Sequence, residues 1–310
     1  MHLNPTRAMY YFGVHLLYAS IVCLLAWLLT SIPRGRATTK YWIWVATTLN
    51  LIVPLGAIVD GLGRAQLGWA TPLTLIGEPA LALTQGPNAA LFFGIWSLGA
   101  SLMCSRLFSR LRADRHDARQ SAERHLLNCE ATFVTAGVPV RFTEGQAGPA
   151  VDGVLHPHIA LPDRIDQILS EEELIAVLMH EVTHAKRRDN LIRLVHEAVL
   201  CVLWFHPLVW LAGSRLALYR ELSCDESVIQ SSRGLDLISA LKKLAVPERD
   251  RLLQSTASSF LMHRLAVLSA RPGRPNGLAS VLLALTFTAL LAGGVWQTVA
   301  HTACCFIAKR

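Results

Sequence analysis

Charge is scarce in this sequence. Asp, Glu, Lys and Arg together make up 16% of its 310 residues, against roughly 25% in an ordinary soluble domain, which argues against a wholly soluble globule. The shortage is local. Met9–Thr30, Tyr41–Val59, Ala89–Cys104 and Leu278–Ala300 contain none of the four. The seven cysteines (23, 104, 129, 201, 224, 304 and 305) include no C-x-x-C pair, and most are expected in membrane or cytoplasm, where disulfides are rare. Adjacent Cys304 and Cys305 would bridge only with strain. The net charge of +7 comes with no basic face bearing a reading motif, which excludes direct nucleic-acid recognition. Internal repeats and low-complexity segments are absent as well.

Long apolar runs are what the chain has instead. A bilayer crossing takes about 20 residues at 1.5 Å each, so four transmembrane helices are expected, at about 9–30, 41–61, 89–106 and 278–300. The first run could be a cleaved signal peptide, but its apolar part is long and no A-x-A-like site follows. Arg34, Arg36 and Lys40 follow it; Arg64 alone of Lys and Arg lies between runs two and three. Arg106, Arg110, Arg112, Arg115 and Arg119 follow the third, and Arg264, Arg271 and Arg274 precede the fourth. That alternation predicts an external N-terminus, a cytoplasmic domain over 107–275 and an external tail over 301–310. Lys309 and Arg310 vote weakly the other way. Multi-pass insertion in a bacterial-type inner membrane, with the bilayer as a partner, follows.

Residues 107–130 read as a polar helix leaving the membrane. Val138–Pro162 carries β-branched residues broken by Gly and Pro, so two or three short strands are expected there. His156 and His158 form an H-x-H, but the intervening Pro157 favours a loop over a metal-binding strand.

Ser170-Glu171-Glu172-Glu173 is a capping box that opens a helix. Leu174, Val177 and Leu178 mark its inner face, and Glu181 continues that face. His180 and His184, four apart, point at one spot. A buried ionised glutamate costs several kcal/mol unless compensated, and a divalent cation compensates it. Composition alone predicts about 0.02 chance occurrences of H-E-x-x-H in a chain like this, so the motif is moderately specific. Zinc needs a third protein ligand and leaves one position open for water.

Ser214–Gln230 supplies a facing helix. Ala217, Glu221, Asp225 and Val228 share one side of it. Glu221 is the best candidate for third ligand and Asp225 for orienting a liganding histidine. Glu226 is a weaker alternative ligand, and Cys224 reads as core. In the bland alternative, Glu221 and Asp225 are surface acids paired with Arg215 or Arg220; the upstream motif favours the metal role. Between the helices, Ala198–Ala212 is almost membrane-like, yet a full crossing would separate Glu221 from His180. This segment therefore stays on the cytoplasmic side, dips and returns near Pro207, or packs inside the domain.

"GVLHPHIALP", "EEELIAVLMHEVTHAKRRDN", "LWFHPLVW" and "YRELSCDESV" occur in the order and spacing of the BlaR/MecR-type antirepressor metallopeptidases, peptidase family fifty-six, which the chain resembles over roughly residues 100–300. The resemblance implies a mainly α protein with a small β element. It would be a four-helix transmembrane protein with a gluzincin-like α+β cytoplasmic metallopeptidase domain. It implies one Zn2+ on His180, His184 and Glu221, with Glu181 as general base and Asp225 assisting. It implies hydrolysis of a cytoplasmic protein, such as a transcriptional repressor, and self-cleavage near Ser259-Phe260 in the tether to the last helix. Phe260 and Leu261 packed on the domain is the bland reading of that tether. The best-known members add an external penicillin-binding sensor after the last helix; here ten residues follow Ala300 and no S-x-x-K stands on the outer side, so a short form is expected. His206, Tyr219 and Arg220 are the nearby polar candidates for holding an oxyanion. Alternatives are a quality-control protease of the HtpX/CAAX-protease type, or a non-catalytic receptor with structural zinc.

Overall fold

The computed structural model describes residues 5–32, 35–52, 89–120, 122–123, 134–135, 137–143, 148–244, 264, 277–278, 280–285 and 287. The end of the expected second crossing, most of the fourth, the Ser259-Phe260 tether and the tail lie outside the described residues. Helices α1 (Pro5–Ser31), α2 (Ala37–Ile52) and α3 (Ala89–Gln120) come first. A small sheet follows: β1 (Ala122–Glu123), β2 (Val140–Thr143), β3 (Ala150–Asp152) and β4 (His158–Pro162). Then come α4 (Ile165–Ile168), α5 (Glu171–Arg187), α6 (Asp189–Val202), α7 (Pro207–Gln230) and α8 (Gly234–Leu244). The protein is mainly helical with a small sheet. Among the described residues one helical stretch, Ala89–Arg112, is long and apolar enough to cross a membrane by itself; the apolar part His15–Ser31 of α1 is shorter.

Two expectations change here. The third apolar run and the polar segment after it form one 32-residue helix, α3. The polar helix was expected to reach residue 130, but Ala122 and Glu123 instead pair antiparallel with Phe142 and Arg141. A tertiary partner strand overrides local helix propensity. His158 starts β4 and is buried, whereas His156 is exposed; the loop expected at both positions holds only for His156.

The sheet order is β1-β2-β4-β3, with β2 and β4 parallel and the two outer pairs antiparallel. Ile159 and Leu161 of β4 pack on Ala176, Val177 and Val182 of α5 and Leu237 of α8. A second core joins α1 and α2 to α6 and α7 through Val22, Ala26, Tyr41, Trp44, Val199, Val209 and Leu216. The N-terminal helices thus share an interior with α6 and α7, while α5, which carries H-E-x-x-H, packs in the first core.

Ala198–Ala212 is a helix–turn–helix. It ends α6, turns at Leu203–His206 and starts α7 with Pro207 at its first position, where a missing N–H costs nothing. The turn lies beside the middle of α1: His206 Nε2 is 3.0 Å from Ser20 Oγ, and the Cys23 thiol donates to Leu208 O at 3.6 Å. Ser20 is 11 residues from the end of α1, about 16 Å along the helix. Val202, Phe205 and Trp210 around the turn are exposed. The chain reverses at this turn, with α7 following α6 directly after His206. α3 is clamped to this turn: a Cβ on Gly99 would fall 2.1 Å from the Trp204 indole, and Trp96 donates to Val202 O at 3.0 Å.

Candidate metal centre

Local chemistry places the H-E-x-x-H helix. Ser170 Oγ accepts from Glu173 N at 3.4 Å, and Ser170 N donates back to Glu173 Oε2 at 2.8 Å, completing the capping box. Ser239 Oγ and Lys243 Nζ of α8 bind the same Glu173 carboxylate at 2.6 and 2.7 Å. They hold its pKa down at about 2. α5 is thereby fixed at its start. It ends at Arg188, whose left-handed backbone (φ 57°, ψ 46°) breaks the helix and begins α6 at once. That break turns Asp189 back towards His184.

His180, Glu181 and His184 are each at least nine-tenths buried. The two Nε2 atoms lie 3.1 Å apart. Glu221 of α7 faces them, with Oε2 3.5 Å from His180 Nε2 and Oε1 3.8 Å from His184 Nε2. Tetrahedral zinc with ligand bonds of roughly 2.0–2.1 Å needs its donor atoms about 3.3 Å apart. The three residues, whose donors all lie within 4.8 Å of one another, are therefore near zinc-ligand spacing, with Arg220 and Arg264 also resting on the Glu221 carboxylate. Glu181 is beside them, and its charge acts on both His180 and Arg264.

The other nitrogen of each histidine meets a carboxylate. His180 Nδ1 is 3.1 Å from Asp225 Oδ1, a close ionic contact off the ideal hydrogen-bond direction. His184 Nδ1 is 2.6 Å from Asp189 Oδ2. Such outer contacts fix the ring orientation that a metal requires. Burial would lower both histidine pKa values. Asp225 and Glu221 more than reverse this at His180, raising it to about 9, and Asp189 does so at His184. Burial likewise works against the ionised Glu221, but the two histidines hold its pKa well below the ordinary carboxylate value. The cluster is built around positive charge.

The sequence left the third acid open, and the structure separates the candidates. Glu226 accepts from Thr38 N at 3.1 Å and Thr38 Oγ1 at 3.2 Å at the start of α2, away from the histidines. Glu221 also accepts from Arg220 Nη2 at 2.9 Å, so the surface-type pairing coexists with the inward one. Cys224 is fully buried, 3.5 Å from His184 Nδ1. His184, Asp189 and Cys224 form a second cluster of donors. However, the Arg187 guanidinium already touches Asp189 and Cys224, and a cation does not share that space. Of the polar candidates for an oxyanion, His206 is spent on Ser20 and Tyr219 donates to Thr30 O at 2.7 Å. Both are removed from the centre.

Three groups escaped the sequence. Asp189 accepts from His184, from Tyr41 Oη at 2.7 Å and from Arg187 Nε at 2.6 Å. Tyr41 comes from α2, and the Arg187 guanidinium stacks 4.0 Å from its ring centre. Arg264 donates to Asp225 at 2.9 and 2.7 Å and lies 3.3 Å from Glu221 Oε2. Asp189 had one available signal, an acid five residues after His184. Nothing local pointed to Tyr41 or Arg264, which arrive through tertiary packing alone. Sheet edges can seat an extended peptide, but on the outer strand β3 Asn190 already donates to the carbonyls of Val151 and Gly153 at 2.8 and 3.1 Å. A peptide pairing on that edge has to displace Asn190.

Known proteins resemble this arrangement in sequence. A family model described as BlaR1 peptidase M56 matches residues 82–236, which is 155 of the 310 residues. Regulatory protein BlaR1 of Bacillus licheniformis is 26% identical over 239 residues, covering 71% of this chain and 38% of that protein. The methicillin resistance mecR1 protein of Staphylococcus aureus is 25% identical over 146 residues, 44% of this chain and 24% of its own length. The chain thus spans well under half the length of these relatives.

Proposed function

The chain belongs to the BlaR1 peptidase M56 family, and from that premise we propose that it is an integral-membrane zinc metalloendopeptidase that cuts a cytoplasmic protein in regulatory signalling. One observation carries the reading: two histidine Nε2 atoms and a Glu221 carboxylate from a facing helix converge at zinc-ligand spacing beside buried Glu181. His180, His184 and Glu221 are the ligands. Held there, zinc would supply Lewis acidity, polarising the scissile carbonyl and lowering the pKa of a bound water towards about 7. Glu181 takes the proton from the attacking water and passes it to the leaving amine. Asp225 and Asp189 hold the imidazoles in the tautomer that turns Nε2 inward. Arg264 offsets the negative charge of Asp225 and Glu221.

The membrane reading rests on Ala89–Arg112 and on the exposed apolar residues of α1, among them Ile21, Leu24, Trp27 and Leu28. Together with the Lys/Arg alternation, it supports a proposed cytoplasmic position for the centre. Family membership favours a defined regulatory cut over the broad digestion of a quality-control protease. A transcriptional repressor is the class of substrate proposed.

The test compares purified wild type with Glu181→Gln, in zinc content and in cleavage of proteins from matched cells. The proposal expects zinc in both and one or two defined cuts in the wild type alone. Equal cleavage by both proteins would remove Glu181 from the mechanism, and metal-independent cleavage would remove the centre. Self-cleavage near Ser259-Phe260 belongs to the same proposal. Arg264, four residues after Phe260, is seated at the centre, and a tethered segment has a high effective concentration there. Mass spectrometry should find new termini between Ser255 and Leu265 that vanish in Glu181→Gln.

A further inference from the structure

A cavity of about 470 Å³ opens between α3, α6 and α7, within the usual range of about 300–1,000 Å³ for small-molecule sites. Its walls share one polarity gradient. On α3 the lining runs from Met103 to Arg106, Leu107 and Arg110, the spacing of a single helix face. On α6 it runs from Leu200 back to Arg193, and on α7 from Trp210 to Arg220. In each wall the end nearer the hairpin turn is apolar, and arginine stands towards the other end.

Charge points the same way. Four arginines line the cavity against two carboxylates, Glu197 and Asp189, and one of the four, Arg220, is paired with Glu221 at 2.9 Å. Glu197 serves both Arg110 and Arg193, at 2.8 and 3.1 Å. Asp189 is committed to His184, Tyr41 and Arg187. Arg106 is exposed and has no ion pair among the described residues. The cavity also holds His196, nine-tenths buried with Nδ1 unpartnered, against which a Cβ on Gly213 would fall 2.4 Å from Nε2. A small residue at 213 keeps that ring in place.

We propose that this cavity is a binding site for one anionic phospholipid of the cytoplasmic leaflet, its acyl chain among Met103, Leu200 and Trp210 and its phosphate on Arg106 and Arg110. The proposal rests on the reading that α3 spans the membrane. Arg106 and Arg110 then stand at the depth of the headgroups, where each basic residue contributes about 1 kcal/mol of attraction to anionic lipid. The inner end of the cavity abuts Asp189 and Tyr41, so the ligand would lie one residue away from His184.

The test is native mass spectrometry of the full chain from nanodiscs of phosphatidylglycerol and phosphatidylcholine with matched acyl chains. Wild type should retain one phosphatidylglycerol per chain, about tenfold or more over phosphatidylcholine, as two basic contacts predict. The double variant Arg106→Ala/Arg110→Ala should bring the ratio near unity, and Ala217→Phe, which fills the cavity, should abolish retention. Equal retention of the two lipids by wild type, no retained lipid, or undiminished retention in Ala217→Phe would each overturn the site. None of these outcomes reads peptidase activity. Reporter fusions at Glu248 (cytoplasmic) and after Arg310 (external) test the membrane reading by itself.

Discussion

Replacing Asp189 with Asn tests whether the centre depends on a carboxylate that the H-E-x-x-H motif does not contain. Asp189 is 3% exposed and accepts from three side chains at once, His184, Tyr41 and Arg187. Asn keeps the shape and one acceptor oxygen but loses the charge and turns a donor towards Arg187 or His184. Loss of such an outer contact lowers metal affinity roughly 10- to 100-fold, about 1.4–2.7 kcal/mol. Removing one partner of a buried ion pair costs about 3–5 kcal/mol of stability. The lower end applies, because Arg187 keeps Ser223 and the Arg220 carbonyl. Zinc affinity is measured by chelator competition, and stability by denaturant melts with and without chelator. Tyr41→Phe is the control: it removes one hydrogen bond to Asp189 and leaves the charge, so zinc affinity should stay within about threefold of wild type. Zinc binding by Asp189→Asn at wild-type strength would refute the reasoning, whatever happened to stability.

Elemental analysis should find one zinc per chain, reduced in Glu221→Ala and unchanged in Glu226→Ala; the opposite pattern would exchange their roles. In the metal-free protein the raised pKa of His180, about 9, stabilises the fold below the ordinary value of 6.5, and that contribution disappears as pH rises through 9. Zinc must expel this proton, so titration calorimetry at pH 7 should show buffer-dependent heats from proton release, with affinity rising towards pH 9. Heats independent of the buffer would contradict the charged cluster. Glu173, lowered from 4.5 to about 2, contributes stability that is complete above pH 4.5 and lost as pH falls through 2. Glu173→Gln should therefore melt below wild type at neutral pH, and the two curves should converge near pH 2.

The capping box, the inner face of α5 and the pairing of His180 with His184 were legible in the sequence because each is a matter of helical period, with partners three or four residues apart. Glu221 was a candidate in the sequence for a related reason, its place on the inner side of a facing helix, and the structure brings its carboxylate within 3.8 Å of both histidines. Glu226 could be set aside only once α2 was in place, since its partner Thr38 is 188 residues away. Asp189 depends on a single left-handed residue, Arg188, and a non-glycine in that conformation announces itself by no local pattern. Tyr41 reaches the centre from outside the 107–275 domain that the sequence delimits, and Arg264 from near that domain's far end, 39 residues after Asp225. Apolar runs reveal that helices meet a low-dielectric environment, but one run does not specify its neighbour. Composition thus determined that the chain is apolar, and helical period determined that His180 and His184 lie on one face of a helix. The packing of α1 and α2 on α7 decided that the hairpin turns back beside Ser20, and so which charges surround the histidines.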